Sequence, residues 1–347
     1  MCGITGYVAN NKLPLNTMAS ALKHRGPDAL GVYETSMNNK HIGLGHTRLS
    51  ILDLSEKGNQ PFVSDDEKIH LVYNGEIYNF RELKDTYLKN ESYTSNTDTE
   101  VILKLYQQKG LAFLDLLNGD FAISILDENK NKLFLIRDRA GVKPLYYFHQ
   151  NDELIFGSEI KAILKVGVKA ELDVDNLQNY FVFKYSPGIE TLFKGIKRLQ
   201  PAHYLTFDLM TSTIAIERYW DPKKSTKYSN LSFKAAQKEI KYLLQDATQK
   251  RLVADVPVGT YLSGGVDSSL ITAIVSKNKK EPLNTFTIGF PEINEFKYSK
   301  IIAEKYNTSH QEILMEKKDY LDNQERLIGY KDAPLAVPNE IPLAVMS

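Results

Sequence analysis

The sequence contains very little cysteine: Cys2 is the only one in 347 residues. A single cysteine excludes an intramolecular disulfide and any zinc site built from several cysteines. The chain also lacks a run of about 18 apolar residues, and its N-terminus lacks a basic segment followed by an apolar stretch. These absences predict a reduced, cytoplasmic protein with no membrane partner.

Net charge is absent as well, because 43 lysines and arginines balance 43 aspartates and glutamates. There is therefore no electrostatic reason to expect nucleic acid as a partner. The seven histidines show no ligand spacing such as His-x-x-x-His, so no protein-built metal site is predicted. Gly43-x-Gly45 has no third glycine in step, which excludes the dinucleotide fingerprint.

The length is sufficient for two domains. A polar stretch rich in lysine and serine, 223–230, predicts the junction between a domain at 1–210 and another at 230–347. In the first part, clusters of strands interrupted by pairs of helices predict sheet layers with helices outside them. The predicted strands are 2–8, 41–44, 47–52, 69–73, 121–126, 132–137 and 145–148, and the predicted helices are 15–22, 80–88 and 99–108.

The position of Cys2 directly behind Met1 suggests a nucleophile. Removal of Met1 would leave a thiol, with a pKa near ~8.5, and a free α-amine, with a pKa near ~8, on one residue. That residue could supply both the nucleophile and its base. The alternative is that a lone cysteine is a small buried hydrophobe.

Several motifs follow one another along the chain: Met1-Cys2-Gly3-Ile4, His24-Arg25-Gly26-Pro27-Asp28, His46-Thr47-Arg48-Leu49-Ser50-Ile51, Tyr73-Asn74-Gly75-Glu76-Ile77-Tyr78-Asn79, Asp98-Thr99-Glu100, Ile136-Arg137-Asp138-Arg139-Ala140-Gly141-Val142-Lys143-Pro144-Leu145-Tyr146 and Gly157-Ser158-Glu159-Ile160-Lys161-Ala162. Their order resembles that of class II glutamine amidotransferases, and within that group the sequence most closely resembles the glutamine-hydrolysing asparagine synthetases. The resemblance implies an N-terminal nucleophile hydrolase fold, an αββα sandwich, for the first domain, within a chain of mixed α/β and α+β class.

The same resemblance implies roles in glutamine hydrolysis. Cys2 would attack the side-chain amide, and the Asn74 amide with the Gly75 N–H would form the oxyanion hole. Arg48 would bind the substrate carboxylate and Asp98 with Glu76 its ammonium group. The remaining implied glutamine-binding residues are Leu49, Ser50, Ile51 and Leu52. The alternatives are a surface ion pair for Arg48 and a helix N-cap for Asp98.

A second informative stretch runs from an apolar strand into the loop Ser263-Gly264-Gly265-Val266-Asp267-Ser268-Ser269. Small residues ahead of a helix N-terminus are suited to binding an anion. The lysine of Walker A is missing, which argues against γ-phosphate transfer. The alternative is an ordinary strand-to-helix turn. Helices are also predicted at 231–252 and 270–275.

The loop resembles the pyrophosphate-binding loop of ATP pyrophosphatases, which implies part of a doubly wound parallel-sheet domain. By resemblance to the ATP pyrophosphatase fold, strands are implied at 285–290 and 310–313 and a helix at 294–307. By this resemblance Leu262 and Ile288 would contact ATP. The β,γ-pyrophosphate and its Mg²⁺ would be held by Ser263, Gly264, Gly265, Asp267, Ser268 and Ser269, with no prosthetic group. Asparagine synthetases continue with a second acidic loop, so the sequence is expected to be truncated, with 339–347 as the first turns of a helix.

The activity implied is glutamine-dependent synthesis of asparagine from aspartate and ATP, although this chain alone is expected only to hydrolyse glutamine. One alternative is an amidotransferase for another carboxylate, such as a sugar acid. Another is a non-synthetic regulatory protein that binds glutamine or nucleotide. A homodimer is left open.

Overall fold

The computed structural model describes residues 1–222, 228–279 and 281–347. The chain divides into two compact units, Met1–Pro222 and Lys223–Ser347. Most of the polar stretch that predicted the junction, 223–227, lies outside the described residues, as does Lys280. No helix within the described ranges is long and apolar enough to cross a membrane.

The described first unit is built from strands and short helices. Its strands are β1 (Gly3–Ala9), β2 (Ala29–Met37), β3 (Lys40–Arg48), β4 (Phe62–Val63), β5 (Ile69–Ile77), β6 (Gly119–Asp127), β7 (Lys132–Arg137), β8 (Tyr146–Gln150), β9 (Glu153–Gly157), β10 (Ile196–Arg198), β11 (His203–Asp208) and β12 (Ile214–Arg218). Its α-helices are α1 (Leu15–Ser20), α2 (Phe80–Tyr87), α3 (Asp98–Lys109), α4 (Ile160–Leu164) and α5 (Val174–Phe183), and two 3₁₀-helices span Glu56–Gly58 and Gly110–Leu116.

The strands form two antiparallel sheets. Their orders are β10-β8-β9-β1-β3-β2 and β12-β11-β7-β6-β5-β4. Apolar side chains of both sheets pack together in one core, including Ile4 and Ile42 from the first sheet and Val72 and Leu135 from the second. Helices α1 and α4 cover the outer face of the first sheet, and α3 packs against β4 and β5 of the second. This arrangement confirms the predicted αββα sandwich.

Two strand predictions were wrong at the places that carry the glutamine motifs. The two strands predicted at 41–44 and 47–52 are one strand, β3, which ends at Arg48. It pairs with β1 and β2 along its length, whereas residues 49–52 have no such partner strand. The strand predicted at 69–73 extends beyond its predicted end, through residues 74–76. They continue β5, because Asn74, Gly75 and Glu76 pair with residues 122, 121 and 120 of β6.

The second unit contains a parallel sheet. Strands β13 (Gly259–Tyr261), β14 (Asn284–Gly289) and β15 (Ser309–Leu314) lie in that order. Its described helices are α6 (Phe233–Lys250), α7 (Val266–Asn278), α8 (Phe296–Tyr306), α9 (Lys317–Lys331) and α10 (Glu340–Met346). Parallel strands joined through helices agree with the predicted part of a doubly wound domain. Helix α7 begins earlier than predicted, so residues 267–269 lie in its first turn.

Candidate active sites

A cavity in the first unit brings together most of the residues predicted to bind glutamine. Its lining residues are Cys2, Arg48, Leu49, Ile51, Leu52, Gly58, Gln60, Tyr73, Gly75, Glu76, Thr97, Asp98 and Thr99. They come from the N-terminus, the end of β3, the loop after it, the end of β5 and the start of α3. Ser50, by contrast, is not one of the lining residues, and its backbone N–H donates a 2.7 Å hydrogen bond to the Asp28 carboxylate.

The thiol of Cys2 lies against the backbone where β3 ends. Its Sγ is 3.4 Å from the Leu49 N and 3.7 Å from the Leu49 O. Burial raises the pKa of Cys2, while the Leu49 N–H opposes that rise. A thiol with a raised pKa attacks only when a base removes its proton, so the predicted role of Cys2 as a nucleophile requires a nearby base and stays a prediction here.

The side chain of Asn74 is only 1% exposed, and neither its Oδ1 nor its Nδ2 has a hydrogen-bond partner among the described residues. A buried amide without partners is uncommon and is costly to the fold. Next to it, Gly75 leaves no room for a side chain, because a Cβ would collide with the Asp120 backbone oxygen. The pair therefore presents an unpaired amide beside a backbone that only glycine allows.

Two carboxyl groups line the cavity: Glu76, which is half-buried, and Asp98, which is buried. Burial, followed by the charge of Asp98, raises the pKa of Glu76 to about 8. Burial also raises the pKa of Asp98 to about 6, although the Ile77 N–H and the Tyr73 hydroxyl favour its ionised form. A cationic group placed between these carboxyl groups would be stabilised by both.

Arg48 is buried, with 5% exposure, and its guanidinium is directed at the loop that follows β3. The Nη1 donates to the Ser55 O at 2.7 Å and to the Asn59 Oδ1 at 2.9 Å, and the Nη2 donates to the Leu52 O at 3.2 Å and to the Asp53 O. The alternative of a surface ion pair is therefore wrong. The predicted binding of a substrate carboxylate stays a prediction, since loop oxygens occupy these donors.

The N-cap alternative for Asp98 is also wrong. The N-cap of α3 is Thr97, whose side chain accepts a hydrogen bond from the Glu100 N. Asp98 is the first helical residue, and its carboxylate accepts from the Tyr73 hydroxyl and the Ile77 N.

Some lining residues were not predicted: Gly58, Gln60, Tyr73, Thr97 and Thr99. Three of them adjoin predicted residues, since Tyr73 precedes Asn74 and both Thr97 and Thr99 are neighbours of Asp98. Position next to a predicted residue in the sequence was a usable signal for these three. Gln60 had no such signal, because its contact with the Tyr73 N, at 2.6 Å, depends on the pairing of β4 with β5.

In the second unit, a larger cavity of about 660 Å³ lies at the carboxyl ends of β13 and β14. It is lined by Tyr261, Leu262, Ser263, Ser268, Phe286, Thr287, Ile288, Gly289, Phe290, Ile293, Asn294, Glu295, Asn339, Pro342, Leu343 and Met346. Ligands of open parallel sheets bind at this edge. Of the predicted ATP residues, Leu262, Ser263, Ser268 and Ile288 line the cavity, whereas Gly264, Gly265, Asp267 and Ser269 lie beside it in the loop and the first turn of α7.

Comparison with known proteins finds a separate family match in each of the two units. The family described as "Glutamine amidotransferase domain" matches residues 1–220, and the family described as "Asparagine synthase" matches residues 239–347. A Methanocaldococcus jannaschii protein classed as a glutamine-hydrolyzing asparagine synthetase is 38% identical over 96% of this chain and 68% of its own length. The chain belongs to the glutamine-hydrolysing asparagine synthetase family.

Other members of the asparagine synthetase family are longer than this chain. Glutamine-hydrolyzing asparagine synthetase 3 of Bacillus subtilis is 37% identical over 96% of this chain, which spans 57% of that protein. Among solved structures, the B. subtilis glutamine PRPP amidotransferase complexed with ADP and GMP aligns with this chain at 16% identity and a TM-score of 0.49. The alignment covers 89% of this chain and 65% of the amidotransferase chain.

Proposed function

We propose that this protein transfers the amide nitrogen of glutamine to aspartate, in an ATP-dependent synthesis of asparagine. The observation that carries the proposal is the cavity that joins the Cys2 thiol to Gly75, Glu76 and Asp98, with the unpaired amide of Asn74 beside them. Family membership supports the same activity, and it also supports ATP as the second substrate.

For glutamine hydrolysis, we infer that removal of Met1 frees the α-amine of Cys2. The amine takes the thiol proton, and Sγ forms a bond to the amide carbon of glutamine. Hydrogen bonds from the Asn74 amide and the Gly75 N–H stabilise the oxyanion. The carbon–nitrogen bond then breaks, ammonia leaves with the proton, and water hydrolyses the thioester to glutamate.

Recognition of free glutamine requires opposite charges at its two ends. Glu76 and Asp98 are the groups available for the ammonium, which favours their ionised forms. Arg48 is the group proposed for the carboxylate, and its Nη1 and Nη2 can take that role only by giving up some of their hydrogen bonds to the loop 52–59. Backbone groups of residues 49–52 complete the proposed pocket.

For the synthetase reaction, we infer that aspartate attacks the α-phosphate of ATP, so that pyrophosphate leaves and aspartyl adenylate forms. Ammonia then displaces AMP and yields asparagine. Leu262 and Ile288 offer apolar contacts for the base. The hydroxyls of Ser263 and Ser268, whose oxygen atoms are 3.0 Å apart, can donate hydrogen bonds to phosphate oxygens, and the nearby Asp267 offers carboxylate oxygens of the kind that Mg²⁺ prefers.

The experiment measures glutamate, pyrophosphate and asparagine together, with glutamine, ATP, Mg²⁺ and aspartate, after intact mass has established the N-terminal residue. We expect wild type to release glutamate and Cys2→Ala to release none. A Cys2→Ala variant that releases glutamate as fast as wild type would overturn the role of Cys2. Pyrophosphate release with a sugar acid but not with aspartate would move the acceptor to that alternative. A cytoplasmic location, a homodimer and the absence of nucleic-acid or membrane partners stay predictions.

A further inference from the structure

The ring of Tyr73 lines the glutamine cavity, and its hydroxyl contacts Asp98. We infer that Tyr73 is a positioning residue, whose hydroxyl orients the Asp98 carboxylate to bind the ammonium group of glutamine. This inference rests on the proposed function and adds a residue that determines how well the free amino acid is recognised.

The contact between the two side chains is short and closed to water. The Tyr73 hydroxyl donates to the Asp98 Oδ2 at 2.7 Å, and the Ile77 N donates to the same oxygen at 2.8 Å. Tyr73 is 2% exposed and Asp98 4% exposed. Two donors that converge on one oxygen restrict rotation of the carboxylate, so the lone pairs that remain free to accept a hydrogen bond point in a fixed direction.

The hydroxyl has a defined position because the Tyr73 backbone is itself held on both sides. The Tyr73 N donates to the Gln60 Oε1 at 2.6 Å, and the Tyr73 O lies 3.1 Å from the His46 Nε2. Burial raises the pKa of Tyr73 well above its usual value, so the phenol remains a donor throughout the working range of pH.

The hydroxyl also favours the charged form of Asp98, which is the form that pairs with an ammonium group. Burial works against ionisation, and the donors from Tyr73 and Ile77 counteract it. Loss of the hydroxyl therefore weakens substrate binding in two ways. The carboxylate is less well oriented, and a larger fraction of it is protonated near neutral pH.

A matched control exists in the same unit. The Tyr106 hydroxyl donates to the Asp127 Oδ2, also at 2.7 Å, and both residues are about 1% exposed. Neither residue lines the glutamine cavity. Tyr106→Phe, which also removes the acceptor of a 3.1 Å hydrogen bond from the Lys130 Nζ, therefore reports the effect on the fold of losing a buried tyrosine–aspartate hydrogen bond.

The experiment compares wild type, Tyr73→Phe and Tyr106→Phe with two substrates: glutamine and 4-carbamoylbutanoate, which is glutamine without its amino group. We expect Tyr73→Phe to raise KM for glutamine about tenfold, since a hydrogen bond to a charged group is lost, with kcat nearly unchanged. The acid limb of kcat/KM for glutamine should move to higher pH. Neither change is expected in Tyr106→Phe, and kcat/KM for the analogue should be unchanged in both variants.

A second arm uses Asp98→Asn, in which Tyr73→Phe should have little further effect on KM if the two residues act together. An unchanged KM for glutamine in Tyr73→Phe, or equal losses with glutamine and the analogue, would overturn the positioning role. Absence of glutamate release by wild type would instead reject the proposed function, so the two failures are distinguishable.

Discussion

The Nε of Arg25 donates a 2.9 Å hydrogen bond to the backbone carbonyl of Cys2. The same guanidinium pairs with the Glu159 carboxylate through Nη1 at 2.8 Å, and His24 contacts that carboxylate as well. Two motifs that are 134 residues apart thus meet at the main chain of Cys2. The position of the Cys2 main chain depends on this partly buried cluster.

Glu159→Gln is expected to lower kcat for glutamine hydrolysis about tenfold with little change in KM, because a neutral amide holds Arg25 less firmly and a charge-assisted hydrogen bond is about twice as strong as a neutral one. Steady-state kinetics of glutamate release measures this. A variant that retains wild-type kcat would show that Arg25 positions Cys2 without help from Glu159.

Asn74→Ala is expected to lower kcat by roughly 10²-fold, the usual effect of removing one oxyanion donor, with a smaller effect on KM. The variant should be at least as stable as wild type, because it removes a buried amide whose two polar atoms have no partner among the described residues. Kinetics and thermal unfolding test the two statements separately. A change limited to KM would make Asn74 a substrate-positioning residue.

Arg48→Ala is expected to raise KM for glutamine at least tenfold. It is also expected to loosen the loop 52–59, because four oxygen atoms of that loop, three from backbone carbonyls and one from a side-chain amide, lose the hydrogen bonds that Arg48 donates. Limited proteolysis measures the loop, and Asn59→Ala, which removes one of these acceptors, is the graded control. A raised KM with wild-type protease resistance would assign Arg48 to the substrate alone.

His46 predicts a specific acid sensitivity. Burial lowers its pKa to about 3 from an unfolded value of 6.5, so the unfolded chain binds more protons than the folded chain between these values. The contribution of neutral His46 is therefore complete above pH 6.5 and decreases as pH falls towards 3. The free energy of unfolding, measured with denaturant, should fall less for His46→Gln than for wild type between pH 7 and 4.5. Equal decreases in the two proteins would contradict this.

Gly264→Ala is expected to destabilise the second unit by more than about 1 kcal/mol, because its φ is +81° and a Cβ would lie 2.5 Å from the Cβ of Tyr298. Gly265→Ala is the matched control for stability, since its Cβ would meet only the Ser263 Oγ, at 3.3 Å. Thermal unfolding distinguishes them. Equal stability of the two variants would show that the loop adjusts to a side chain at residue 264.

The amino-acid sequence by itself determined the chemical inventory and much of the secondary structure. A cysteine behind Met1, an Asn-Gly-Glu run and a Ser/Gly loop ahead of an apolar helix are local patterns, and local patterns specify residue types and short elements. For this reason β7 and most helices of the first unit lie close to their predicted bounds. The αββα layers followed from the family resemblance of the ordered motifs.

Tertiary structure alone decided which groups meet. The continuation of β5 through Ile77 comes from pairing with β6, and it places Tyr73 next to Asp98, 25 residues away. Strand β2 alternates between half-buried and exposed residues and was not predicted, because it is defined by its register with β3. Arg48 has donors that suit any carboxylate or carbonyl, and only the path of the loop directs them to Ser55 and Asn59. Contacts between distant residues depend on register and loop path, which no local pattern encodes.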